Sequence, residues 1–112
     1  MYTKLPQVIS TYILSQNDND NDKSITCFID NAVVHDEGME RRGKKAIKEW
    51  IDESHEKYQY TMEVTGVVKR EEDTIVTGML TGNFDGSPVS LDYHFTLKDN
   101  KIAKLSILLT EE

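Results

Sequence analysis

A chain of 112 residues carries 20 acidic and 13 basic side chains and a formal net charge of -7, a balance that repels nucleic acid and anionic membrane surfaces. Cys27 is the only cysteine, so an intrachain disulfide and thiolate metal clusters are excluded, and it reads as an ordinary core thiol. One domain over residues 1–112 is expected, able to bury about two thirds of the surface its unfolded chain exposes, with one core and one cavity.

The opening "MYTKLPQVISTYILSQ" holds no apolar run long enough for a signal segment or a membrane span, so a cytoplasmic protein is expected. From Pro6, apolar Val8, Ile9, Tyr12 and Ile13 recur at helical spacing, which predicts a helix over 6–16. "NDNDND" ends it, because Asn and Asp bond to their own backbone, and a short helix carrying Ile25, Cys27 and Phe28 follows. The alternation of Asp18, Asp20 and Asp22 resembles the start of a calcium loop. However, Lys23 stands where glycine is needed and Ile29 where the bidentate carboxylate belongs, so a solvated acidic turn is expected.

"AVVHDEG", residues 32–38, reads as a short strand. After it, Ala46, Ile47, Trp50, Ile51 and Ser54 form one stripe of a helix bracketed by Gly43 and Tyr58, while Lys44, Lys45, Lys48, Glu49, Asp52 and Glu53 face away. The basic run "RRGKK" is read as a solvated helix entry beside Glu37 and Glu40. The period then changes to two in "YQYTMEVTGVVKR", "TIVTGMLTGNF", "PVSLDYHFTLK" and "KIAKLSILL", four strands joined by tight turns. Helix, helix, strand, helix and an antiparallel meander make an α+β architecture.

That order, centred on "FIDNAVVHDEGMERRGKKAIKEWI", resembles the nuclear transport factor two-like superfamily, in particular its SnoaL-like and ketosteroid isomerase branches. The resemblance implies a cone-shaped α+β barrel, with three N-terminal helices packed in a strongly curved, mainly antiparallel sheet around an apolar pocket open at one end. Isomerases, cyclases, hydratases, dehydratases, epoxide hydrolases and non-catalytic binding modules share this fold, so catalysis and simple binding both stay open. In the isomerase branch the general base is an aspartate ending the first strand, matched by Asp36, and an oxyanion-stabilising tyrosine on the first helix, matched by Tyr12. The branch's third member, a protonated carboxylic acid, is replaced in register by Tyr93, and a networked tyrosine is replaced by Ile51. Homodimerisation through the outer sheet surface is also implied, and Val67 and Val76 are read as outward apolar residues that a partner would cover.

Strand alternation puts Ala32, Val34 and Asp36 on one face and Val33, His35 and Glu37 on the other, so His35 and Asp36 cannot readily share a metal. His35, His55 and His94 show no paired ligand spacing, and neither a metal nor a cofactor is expected. Asp36 then has two readings. Facing an apolar cavity, its carboxylate would be disfavoured by desolvation and suited to a general base; otherwise it bonds the following turn. His35 is expected at the surface or on a dimer face, and Asp92 and His94 outward of Tyr93, Phe95 and Leu97. Trp50, Tyr58, Tyr60, Met62, Met79 and Phe95 are expected to line, or to fill, a cavity for a small, largely apolar ligand.

Overall fold

Pro6, with φ preset near the helical value, opens α1 (Gln7–Asn17), whose Ile9, Tyr12 and Ile13 are buried. The computed structural model describes residues 5–36, 38–71 and 73–110; Glu37 lies outside them. The acidic run separates two helices: the Asp20 side chain caps α2 (Asn21–Thr26) by accepting from the Lys23 N–H at 3.2 Å, and Asp22 lies 3.5 Å from Lys48. Contrary to expectation, α2 ends before Cys27 and Phe28. Cys27 is its C-cap, and Phe28 starts β1 (Phe28–Asp36), because the Cys27 carbonyl accepts from Ile102 N–H at 2.7 Å and draws the chain into the sheet.

A strand that the sequence pattern did not predict, β2 (Met39–Arg42), folds back antiparallel on β1, pairing Asp36 with Met39 and Val33 with Arg42. "MERR" has no β-branched residue, so only pairing with β1 makes it a strand. Gly43, at φ 86, lets the chain turn from β2 directly into α3 (Gly43–Tyr58), a backbone angle that strains other residues. The helix ends on Gln59 in the left-handed conformation, its N–H bonded to His55 O.

β3 (Thr61–Arg70), β4 (Asp73–Thr81), β5 (Val89–Lys98) and β6 (Lys101–Leu109) form the meander, and the sheet order is β2-β1-β6-β5-β4-β3. Among the described residues only the β1–β6 pair is parallel. The six strands curl around the helices as an α+β cone, with α3 against β1 and β2 and α1 against β3 and β6. A bulge between Val64 and Gly66 reverses which residues of β3 face inward. Val67 therefore sits opposite Val76 on the concave side, and Val76 is fully buried, so neither is the outward residue expected from the sequence. The outer face carries Val68, Ile75, Met79, His94 and His35 instead. His35 approaches Glu40 at 3.6 Å there, and Glu40 also pairs with Arg42.

Candidate functional site

The concave face is filled at one end and open at the other. Where β1 and β6 finish, β4 finishes and β5 starts, a cavity of about 700 Å³ remains. Its walls are mainly apolar: Leu80 on β4, Val89 and Leu91 on β5, and Ile107 on β6. At the mouth Phe84 meets Tyr58 edge to face at 5.6 Å, and Lys57 lies 5.0 Å over the Tyr58 ring. Gly82 permits this arrangement, since a Cβ there would come within 2.6 Å of the Tyr58 carbonyl oxygen, and the Asn83 N–H bonds the same oxygen at 2.7 Å.

Asp36 reaches the cavity from the end of β1, and its Oδ2 accepts from the Trp50 indole N–H at 3.0 Å. Trp50 is both a core residue, 6% exposed, and part of the wall, so the two readings of this side chain meet in one position. Tyr60 lines the cavity just beyond α3 and donates to Gln16 Oε1 at 2.5 Å. Tyr93 lines it from β5, 4% exposed and stacked on Phe95 at 6.2 Å. Burial pushes both phenols above their usual range, with the Asp36 charge adding to the effect, so they stay protonated at physiological pH.

Several expected site residues lie elsewhere. Tyr12 is not in the cavity wall. Its ring packs edge to face against Phe28 at 5.5 Å and Phe95 at 5.9 Å, although burial and then the nearby Tyr60, Tyr93 and Asp36 raise its pKa. Phe95 belongs to that same core and does not line this cavity. Met62 is buried with its tip over Gly78, and Met79 points to the outer face between Glu63 and Ser90. In "TIVTGMLTG" both alternating sets are apolar, so periodicity alone could not say whether Val76 and Leu80 or Ile75 and Met79 face inward.

Sequence reasoning missed Leu80, Phe84, Val89, Leu91 and Ile107 in the wall, although Val89 and Leu91 share the period-two face of Tyr93 and were readable from it. It also missed Gln16 and His55. His55 is buried, its Nδ1 2.5 Å from Asn21 Oδ1, while Asn21 Nδ2 donates to Asp52 at 2.9 Å. That bond fixes the Asn21 amide, so His55 carries its proton on Nδ1, and burial holds its pKa below the usual 6.5. Among the described residues no group of three or more His, Cys, Asp or Glu side chains is placed to hold a metal, and no helix is long and apolar enough to cross a membrane.

An α+β cone with an apolar cavity at one end and a carboxylate held at its wall is the arrangement that these elements build. Residues 10–105 match the family described as SnoaL-like domain, and this chain belongs to that family. It is similar to the crystal structure of a proposed polyketide cyclase from Sinorhizobium meliloti, at 35% identity over 93% of this chain and 95% of the other, with a TM-score of 0.90. A proposed isomerase of the SnoaL-like family from Agrobacterium tumefaciens shares the fold at 18% identity, covering 94% of this chain and 96% of its own, with a TM-score of 0.77. A protein with a ketosteroid isomerase-like fold from Catenulispora acidiphila, solved with trimethylamine, does so at 12% identity, 96% and 88% coverage and a TM-score of 0.83. Among curated proteins none matches the sequence.

Proposed function

We propose that this chain binds a small, largely apolar carbonyl compound in the cavity and moves a proton on it, with Asp36 as general base and Tyr93 donating a hydrogen bond to the oxygen that gains charge. The observation that carries this reading is the Asp36 carboxylate at the wall of an apolar cavity, one oxygen held by Trp50 Nε1 at 3.0 Å. A base fixed in this way takes a proton from the carbon beside a carbonyl. The electron pair moves into an enolate, and a neutral phenol stabilises the oxygen where that charge collects. Removing such a proton begins isomerisation and ring closure alike, which fits the similarity to a proposed polyketide cyclase.

The test is hydrogen–deuterium exchange at the α-carbon of 2-tetralone in heavy water, followed by NMR. Wild-type protein is expected to exceed buffer, and Asp36→Asn to lower the rate by a factor on the order of a hundred or more. Exchange no faster than buffer, or unchanged by Asp36→Asn, overturns catalysis and leaves a ligand-binding module. The reading includes a homodimer formed through the outer sheet face, where Val68 is 51% exposed beside Ile75 and Met79. A monomer mass by light scattering at micromolar concentration overturns that part.

A further inference from the structure

Behind the cavity wall a chain of buried side chains sets the direction of a hydrogen bond at the cavity's polar end. The Tyr12 backbone carbonyl can only accept, so the Ser15 hydroxyl, 2.8 Å away, donates to it. Ser24 Oγ lies 2.7 Å from Ser15 Oγ and 3.2 Å from the Asp20 carbonyl. Whichever of these takes its single hydrogen, Ser24 meets Gln16 as an acceptor, and Gln16 Nε2 donates at 2.8 Å. The Gln16 amide is thereby oriented with Oε1 toward Tyr60, whose hydroxyl donates to it at 2.5 Å.

Ser15, Gln16 and Ser24 are 2%, 4% and 0% exposed, so water cannot compensate a reversed arrangement. Turning the amide over would require the Ser24 hydrogen for Oε1 and would draw the Ser15 hydrogen away from the Tyr12 carbonyl, losing a buried bond. Tyr60 therefore has only lone pairs left for a ligand. Tyr93 is different: among the described residues none forms a hydrogen bond with its hydroxyl, which is able to donate.

We propose that Tyr60 acts on the cavity as a hydrogen-bond acceptor only, with Gln16 as its positioning residue. The cavity then selects a largely apolar ligand that brings both a carbonyl, for Tyr93, and a hydroxyl or enol O–H, for Tyr60. This rests on the cavity being a ligand site and not on the proton transfer proposed above, and it narrows the ligand from carbonyl compounds in general to hydroxylated ones.

The test compares 2-hydroxy-9-fluorenone, which carries both groups, with its methyl ether, 2-methoxy-9-fluorenone, which keeps the carbonyl but cannot donate, by calorimetry on the full chain. Wild-type protein is expected to prefer the hydroxyl compound by about tenfold, the scale of one net hydrogen bond. Gln16→Met frees the Tyr60 hydrogen to turn into the cavity and should reduce the preference to near unity, while Gln16→Glu keeps an acceptor for Tyr60 and should retain it. Tyr60→Phe, which removes one oxygen without changing the ring, should abolish it too and decides the matter if Gln16→Met does not fold. Equal binding of the two compounds by wild-type protein, or a full preference surviving in Gln16→Met or Tyr60→Phe, overturns the inference. If neither compound binds wild-type protein, the ligand-site reading falls with it, whereas failure of the tetralone exchange with the preference intact removes only the catalytic reading.

Discussion

At one end of the concave face Tyr12 meets both Phe28 and Phe95 edge to face, all three buried; at the other, Trp50, Tyr58, Tyr60 and Tyr93 stand around a cavity of about 700 Å³. Both ends are built from aromatic side chains, and on β5 Tyr93 of the one stacks on Phe95 of the other across the boundary. The difference lies in what covers them. Tyr12 of α1 drops onto the first end, while α3 finishes at Tyr58 and leaves the second to a rim of loop and side chains. Aromatic content therefore does not distinguish a core from a pocket. The filled end closes the sheet over a solid core, and the open end leaves a cavity bordered by side chains that are themselves largely buried.

If that division is right, the largest effect falls at the filled end. Phe95→Ala removes a side chain that is 0% exposed and should cost about 3–5 kcal/mol, the sum of lost transfer energy and a new closed void. Leu91→Ala, at the open end, enlarges a cavity that already exists. It should cost about 1–2 kcal/mol, since only the transfer term is lost. Urea unfolding of the two variants measures both, and equal costs would break the comparison.

The smallest expected change is a loss of stability in acid, and it arises from His55 on α3, close to where that helix ends and the cavity begins. Burial holds the His55 pKa below 6.5 in the folded state, so on acidification the unfolded chain takes up the proton first. Its stability contribution is complete above about pH 6.5 and is lost as pH falls below that value toward the folded pKa. Asp52, whose carboxyl Lys48 holds below 3.8, loses its contribution only in a separate window beneath that value. A urea midpoint lower at about pH 5.5 than at about pH 7.5, with the difference reduced in His55→Gln, is the expected result. Identical midpoints in the wild-type chain would show that His55 is not held neutral by burial.

The sequence alone determined the elements with one unambiguous period. The stripe of Ile47, Trp50 and Ile51 requires a helix, and the alternation in "SLDYHFTLK" puts Tyr93 and Phe95 together and His94 opposite, because a one-residue slip would expose the whole apolar set. The same reasoning placed Asp36 with Val34, on the face that the structure turns toward the cavity. Tertiary structure alone decided the rest. Gln16, Ser15 and Ser24 are polar residues of helices that no apolar period marks as buried, and they become so only where α1, α2 and Tyr60 meet. β2 exists only through its partner, and a single bulge in β3 reverses Val67. Whether an aromatic ring fills space or borders it depends on how far a helix from another part of the chain extends over it, and no local pattern of residues encodes that distance.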